Sequence, residues 1–348
     1  MMRIEIFSTD TDDGTISVIG KSEVGDHELL RRIRVGNAPR GAVKFTTTGR
    51  GFVSNTSQNT VSELDPITLE ETRRIEVGHG PRGLGVVPGD KYLIVSNSGS
   101  DTISIVDLVL NIEVRQIPCG RDPRHMAITR NGEFAFVCIW GDDSVAKLDL
   151  RGLAHGQPEL VTIVDSFDVG ATAHPYSAAI TPKGDQLLVA NTQAKYLSVL
   201  DIASGAVDSV DLGDHGGRAV TFTTDGRYAL VSVESTSMVA VIDLDTMQVT
   251  RQIPVGPGPR GLMVDPSDET LYVTNFARPG TTMGFAGPMY LPNTLTKVDL
   301  KSARLDVPAG EFDYQSIDVG FGPCSVSIVD TARWAQQVSV DADGAARA

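Results

Sequence analysis

Short apolar segments separated by polar turns recur along the chain. In one copy, the apolar segments cover residues 42–45, 51–55 and 61–64, and a fourth segment covers 71–77. The intervening residues are rich in Thr, Gly, Ser and Asn. Segments of this length, bounded by such residues, are typical of β-strands. The pattern predicts a meander of four antiparallel strands.

A glycine-containing motif, called the junction motif below, precedes each copy of this pattern. VGPGPRGL begins at Val255, and related motifs begin at positions 35, 77, 119, 169, 212 and 319. The junction glycines are Gly36, Gly78, Gly120, Gly170, Gly213, Gly256 and Gly320, so that their spacings are 42, 42, 50, 43, 43 and 64 residues. A period of about 40–45 residues with strand-like contents is that of a propeller blade. Blades one to seven are numbered here from the junction motif at position 35.

The two ends of the chain complement each other. The last junction motif is followed by one clear strand at 324–330, whereas the N-terminal residues supply three strands, 3–7, 15–20 and 29–35, without such a motif. Joining them removes an exposed sheet edge. We therefore predict an all-β, seven-bladed β-propeller in which each blade is a four-stranded antiparallel meander and the N-terminal strands pair with the C-terminal strand. Residues 1–348 are expected to form this single domain, and 336–348 to fray.

The junction motif VG-x-x-P-R-G, the strand end V-x-N and the third strand T-V-S-V-I-D together resemble the YVTN-type repeat of seven-bladed, WD40-like propellers. The resemblance covers essentially the whole chain and implies the fold; similar propellers are lactonases, lyases, cycloisomerases and binding scaffolds. In virginiamycin B lyase-like propellers, rim histidines and a glutamate act with a magnesium ion. His125 and Glu234 each lie one residue past the corresponding positions, which argues against a lyase of that kind. Lactonase and muconate-cycloisomerase propellers, which use histidine, arginine and glutamate, fit the mixture of residues more loosely.

The amino-acid composition limits the classes of binding partner and the cellular compartment that we expect. The net charge of −14 opposes attraction to nucleic acid or anionic lipid. No apolar run has the length of a membrane span, and the first residues do not resemble a secretory signal. Three cysteines suit a reducing compartment. These features predict a cytoplasmic protein with no nucleic-acid or membrane partner.

The residue after the junction proline, or its equivalent, is arginine in five blades. The seven residues in this register are Arg40, Arg82, Arg124, Tyr176, Arg218, Arg260 and Cys324. A ring of guanidinium groups suits a carboxylate or phosphate. A structural alternative is that arginine bonds to carbonyls of adjacent blades. In an acidic protein, the cationic ring favours a small anionic ligand.

Histidines in the junction motifs are candidates for proton transfer. His125 follows the ring arginine of blade three, His174 precedes Pro175, and His215 lies in the junction motif of blade five. Histidine acts as an acid, a base or a metal ligand near neutral pH. Glu234 follows strand two of blade five, where it is expected to face His174 and His215 as a base or metal ligand. We expect no required cofactor, although a divalent metal on these three residues remains an alternative.

Three further features complete the predicted rim. Trp140 is a candidate for stacking against a flat ligand, and Lys195 adds a cation to the turn of blade four. Blade six carries a long insertion at 276–293 whose Phe285 and Tyr290 suit a lid over substrate or a surface for a protein partner.

Two functions follow from this pattern. The first is an enzyme that acts on a small anionic metabolite through hydrolytic, lyase-type or isomerising acid–base chemistry. His125, His174, His215 and Glu234 would be catalytic, and the arginines would hold the anion. The alternative is a non-catalytic scaffold or metabolite sensor that uses the same rim.

Overall fold

The structure, a computed structural model, describes residues 4–21, 26–265, 269–276 and 293–331. The first fourteen strands are β1 (Ile4–Asp10), β2 (Thr15–Lys21), β3 (His27–Arg34), β4 (Pro39–Phe45), β5 (Gly51–Asn55), β6 (Thr60–Leu64), β7 (Glu71–Glu76), β8 (Pro81–Val86), β9 (Tyr92–Asn97), β10 (Thr102–Asp107), β11 (Ile112–Pro118), β12 (Pro123–Ile128), β13 (Phe134–Ile139) and β14 (Ser144–Asp149). The remaining strands are β15 (Thr162–Asp168), β16 (Pro175–Ile180), β17 (Gln186–Asn191), β18 (Tyr196–Asp201), β19 (Val207–Asp211), β20 (Gly217–Phe222), β21 (Tyr228–Val233), β22 (Met238–Asp243), β23 (Gln248–Pro254), β24 (Pro259–Asp265), β25 (Thr270–Asn275), β26 (Thr294–Asp299), β27 (Tyr314–Asp318) and β28 (Pro323–Asp330).

Helical structure is confined to short connections in the part of the chain that the structure describes. The 3₁₀ segments are Trp140–Asp142, Arg151–His155 and Pro158–Leu160, and one α-helical turn, α1, covers Leu300–Ala303. No helix among the described residues has the length and hydrophobicity needed to cross a membrane.

The strands form seven four-stranded antiparallel sheets, as predicted. Blades one to six each contain four consecutive strands, starting with β4 and ending with β27. Blade seven has the order β28-β1-β2-β3, with Phe7 opposite Ser327 across the joint between the chain ends. The innermost strand of each blade contacts that of the next, and β28 contacts β4. The sequence prediction of a closed ring is confirmed.

Each pair of adjacent blades buries its own apolar cluster. Between blades two and three, for example, Ile94 and Ile105 pack with Val137 and Leu148. Equivalent clusters occupy the other six interfaces, including the one between blades six and seven. Strands that are buried on both faces read as continuous apolar runs. This explains why the second strands of the repeat, such as Tyr92–Asn97, carry little polar alternation.

The junction glycine is explained by a close approach to the end of strand two. A Cβ atom at Gly256 would lie 2.5 Å from the side-chain amide of Asn275. Asn275 in turn donates hydrogen bonds to the hydroxyls of Thr294 (2.9 Å) and Thr296 (2.8 Å). A larger residue at this position would displace the amide.

A second repeated contact places the junction motifs and the turns after strand two on one rim. The residue after strand two donates its backbone N–H to a carbonyl of the junction motif, as Ser98 does to Gly80 (3.0 Å) and Glu234 to Gly216 (2.8 Å). The contact recurs in every blade, and the rim that it defines is called the junction rim below.

Candidate functional site

The second residue of each innermost strand forms a ring at the junction rim. Because the innermost strands surround the axis, their second residues lie at one level. These residues, called the mouth ring, are Arg40, Arg82, Arg124, Tyr176, Arg218, Arg260 and Cys324. The guanidinium carbons of Arg218 and Arg124 lie 4.9 and 5.8 Å from the ring centre of Tyr176. The seven residues that were predicted to share one register therefore lie at one level around the axis.

The mouth-ring carbonyls are bonded by serines rather than by arginine side chains. Ser54 Oγ donates to the carbonyl of Arg82 (2.8 Å), and Ser232 Oγ donates to that of Arg260 (2.6 Å). Three of the five arginines, Arg124, Arg218 and Arg260, are instead paired with carboxylates.

Glu234 neutralises two members of the mouth ring. Its Oε1 accepts hydrogen bonds from Arg260 Nε (3.2 Å) and Nη2 (3.0 Å), and its Oε2 is ion-paired with Arg218. Glu234 and Arg260 are both buried. Burial opposes the charge on Arg260, but Glu234, Cys324 and Tyr176 together outweigh that effect and raise the pKa of the guanidinium. The sequence prediction that Glu234 faces His174 and His215 is wrong, because both carboxylate oxygens are directed at arginines.

The other three arginines share one carboxylate among the described residues. Arg124 is ion-paired with Asp122, two residues earlier in the junction motif. Buried guanidinium nitrogens of Arg40 (Nε) and Arg82 (Nε and Nη1) have no hydrogen-bond partner in the described part of the chain. Burial, reinforced by the charges of Arg124 and Arg40, lowers the pKa of Arg82 to about 10. This half of the mouth ring carries excess positive charge.

His125 lies directly below these arginines. Its imidazole is 5.0 Å from the Tyr176 ring, centre to centre, and a Cβ atom at Gly41 would lie 3.4 Å from its Cε1. Burial, together with the charges of Arg82, Lys44, Arg124 and Arg40, lowers the pKa of His125 to about 3. The imidazole is therefore neutral at neutral pH and can accept a proton.

Cys324 shares this electropositive environment. The side chain is buried, and burial opposes ionisation of its thiol. The charges of Arg40, Arg260 and Arg82 outweigh that effect and hold the pKa of Cys324 below its ordinary value. By contrast, burial alone raises the pKa of Cys119 to about 12.

Trp140 and His174 form a stacked pair beside Arg124. Their rings are 4.1 Å apart at 18°, and the guanidinium of Arg124 lies 5.1 Å from the Trp140 ring. His174 Nδ1 is 2.8 Å from the Trp140 carbonyl and 3.5 Å from Asp143 Oδ1. These contacts indicate that His174 positions the Trp140 ring. Trp140 therefore remains a candidate for contact with substrate.

The remaining sequence-predicted residues lie outside the mouth ring or outside the described part of the chain. His215 Nδ1 is 2.5 Å from Asp214 Oδ1, and Lys195 is exposed on the turn after β17. Phe285 and Tyr290, with the other residues of 277–292 in the blade-six loop, lie outside the described residues. No group of three His, Cys, Asp or Glu side chains among the described residues is arranged to hold a metal ion. His174, His215 and Glu234 do not form such a group.

Two functional residues were not predicted from the sequence. Asp122 occupies a junction position that is glycine in four blades, and its φ of 52° is left-handed. A non-glycine residue in that conformation is a signal for a special role. Lys44 lies in β4 and borders a cavity of about 370 Å³ beneath the mouth ring, together with His125, Tyr176 and Cys324. The sequence feature that could have indicated Lys44 is a charged residue inside an innermost strand.

Comparisons with known proteins agree with this architecture. A model of the YNCE-like β-propeller family matches residues 35–127 and 116–268, which together cover more than half of the chain. No curated protein sequence matches the chain.

Solved structures share the whole fold at low sequence identity. Hydrazine synthase of Kuenenia stuttgartiensis is 21% identical with a TM-score of 0.66, covering 86% of this chain and 97% of that chain. The periplasmic gluconolactonase PpgL of Pseudomonas aeruginosa is 15% identical with a TM-score of 0.73, covering 94% and 99%. A candidate 6-phosphogluconolactonase of Bacteroides fragilis is 15% identical with a TM-score of 0.75, covering 94% and 98%. The match to the family model, with its repeats and ring closure, shows that the chain belongs to the YNCE-like β-propeller family.

Proposed function

We propose that the protein is a lactonase that hydrolyses a small anionic lactone at the mouth ring. The observation that carries the proposal is the unequal neutralisation of the arginines. Glu234 offsets Arg218 and Arg260, whereas Arg40, Arg82 and Arg124 share Asp122. A phosphate or carboxylate would supply the missing negative charge. Two similar structures described as gluconolactonases support the choice of reaction.

His125 is the candidate base in this reaction. A water molecule attacks the lactone carbonyl carbon and gives a proton to the imidazole. The ring C–O bond then breaks, and the released alkoxide takes that proton back from the imidazolium, which gives a hydroxy acid and regenerates the neutral base. A base with a pKa of about 3 is weak at neutral pH. An anion bound to Arg82 and Arg124 offsets two of the charges that depress this pKa, so the bound substrate itself strengthens the base.

The test compares hydrolysis of 6-phosphogluconolactone with that of uncharged gluconolactone. Arg82→Met should lower kcat/KM for the phosphorylated lactone by about 100-fold, because it removes a charged contact to the anion. His125→Asn should lower kcat by about 100-fold. Arg121→Met is the matched control, since Arg121 is an exposed arginine on the same rim, ion-paired with Asp142; its activity should equal that of the wild type.

The outcomes separate the two functions that the sequence allows. Equal rates on both lactones, or full activity of Arg82→Met, would contradict the proposal. Binding of 6-phosphogluconate that depends on Arg82, without turnover of any lactone, would instead support a metabolite sensor.

A further inference from the structure

The end of the channel opposite the junction rim carries a second cavity. It has a volume of about 880 Å³ and is bordered by the turn after β12 and the turn after β16. Innermost strands run from the junction rim to these turns, so the cavity opens on the opposite face of the propeller. Its size is that of a pocket for a small organic ligand.

The inner wall of this cavity is apolar. Met126, Ile128, Ile180 and Val220 border it, and each side chain is half-buried although it lies near the axis of the molecule. Partly exposed apolar side chains inside a channel are favourable places for a hydrocarbon group, because contact with it removes their remaining surface from water.

Lys44 is the one charged residue at its level of the innermost strands. It is paired with Phe52 of strand two, and at this level the other blades carry the uncharged residues Gly85, Ala127, Ala179, Thr221, Met263 and Ser327. Lys44 borders both the lower cavity and the smaller cavity beneath the mouth ring. No acidic side chain among the described residues forms an ion pair with it. Burial lowers the pKa of its ammonium group.

We propose that the lower cavity binds an amphipathic monocarboxylate, with the carboxylate on Lys44 and the hydrocarbon chain along Met126, Ile128 and Ile180. An ammonium group that is withdrawn from water without a counter-charge is costly, and a carboxylate offsets that cost. At the outer edge of the cavity, Lys183 is ion-paired with Asp245. Arg130 is accompanied there by Glu133. Lys44 is therefore the cation that would hold the carboxylate. The lower cavity opens on the face opposite the mouth ring, and the proposal does not depend on the lactonase reaction.

The test uses decanoate below its micelle concentration as the probe and decanol as its uncharged analogue. Isothermal titration of the whole protein should show one decanoate site, with decanol at least tenfold weaker. Lys44→Met should weaken decanoate by at least tenfold and bring it level with decanol. Ile128→Glu should remove both ligands, since a carboxylate on the wall repels the probe and disrupts the apolar surface.

Two controls keep the result separate from the mouth ring. Arg82→Met should bind decanoate as the wild type does, and Ile128→Glu should still bind 6-phosphogluconate. Circular dichroism and thermal midpoints check that each variant is folded. The proposal fails if decanoate does not bind, if Lys44→Met binds it unchanged, or if Arg82→Met loses it, because the anion would then occupy the arginines. None of these results bears on whether lactones are hydrolysed.

Discussion

Asp10 shows how one residue of the repeat changes the chemistry of a blade. It occupies the end of strand two in blade seven, where Asn55, Asn97 and Asn275 end the same strand in other blades. Its carboxylate accepts hydrogen bonds from the hydroxyls of Ser17 (2.6 Å), Thr15 (3.1 Å) and Ser8 (3.1 Å). The side chain is fully buried, and burial outweighs these bonds and raises its pKa from 3.8 to about 6.

We expect Asp10→Asn to stabilise the protein at pH 7.5 but not at pH 4. The folded state of the wild type holds the proton more tightly than the unfolded state, so its stability falls as the pH rises from about 4 to about 6 and is then constant. A shift of this size corresponds to about 3 kcal/mol. Asparagine does not ionise, and the difference in unfolding free energy between variant and wild type should therefore grow by roughly 2–3 kcal/mol over that interval.

Urea unfolding at the two pH values measures this difference. Asn97→Asp is the matched reverse change in blade two and should acquire the pH dependence that Asp10→Asn loses. A difference between Asp10→Asn and the wild type that stays constant with pH would show that the pKa of Asp10 is the same in the folded and the unfolded protein.

The pairing of individual side chains was the feature least predictable from the sequence. The sequence located the mouth ring and His125, because both follow from their register after the junction proline. It did not assign Glu234 to Arg218 and Arg260, because that choice depends on side-chain torsions and on which neighbour is within reach. Lys44 was missed because the innermost strands were treated as apolar structure and chemistry was sought in the junction motifs.

At the scale of the element, Glu234 acts as a clamp between two blades. It follows β21 in blade five, and it joins Arg218 of the same blade to Arg260 at the start of β24 in blade six. In blades one, two and seven the same position carries a hydroxyl that bonds to the next blade, as when Thr56 donates to the Pro81 carbonyl (2.8 Å). Trp140 takes that role in blade three by donating from its indole nitrogen to Thr192 (3.1 Å).

Glu234→Gln should destabilise the protein by about 3 kcal/mol, because it leaves the buried charge of Arg260 without its partner. The double variant Glu234→Met, Arg260→Met should recover part of this loss, since the more buried arginine is removed and only Arg218 then lacks its partner. Thermal and urea unfolding measure both effects. As a control, Asp142→Asn removes the exposed pair with Arg121 and should cost less than about 1 kcal/mol. A similar small loss for Glu234→Gln would contradict the clamp.

The elements themselves were predictable because two independent signals coincide. Apolar runs mark the strands, and junction glycines and turn residues mark their ends. The four strands expected at 42–77 correspond to Pro39–Phe45, Gly51–Asn55, Thr60–Leu64 and Glu71–Glu76. The start of the first strand was placed too late, because β4 already begins at the junction proline. The proline is followed by the mouth-ring arginine, so the site is part of the sheet and not of a loop.

For the whole molecule, the decisive contact is the joint between the two ends of the chain. β1 pairs with β28 over seven residue pairs, from Ile4 opposite Asp330 to Asp10 opposite Pro323. The other blades are built from strands that are consecutive in sequence. Blade seven therefore carries the entropy cost of closing nearly the entire chain into a ring, which the others do not.

A disulfide across this joint should stabilise the protein more than the same bond within another blade. Ile4→Cys with Asp330→Cys links facing residues at the joint, and Gln186→Cys with Asp201→Cys links facing residues of β17 and β18. Both pairs are partly exposed strand residues, and the three native cysteines are buried. Because a cross-link removes more freedom from the unfolded chain when its loop is longer, the joint should gain on the order of 2 kcal/mol more than the single-blade bond. Urea unfolding of each oxidised variant against its reduced form isolates the effect of the bond. Equal gains from the two bonds would contradict this prediction. Closing the ring would then cost no more chain entropy than forming a single blade.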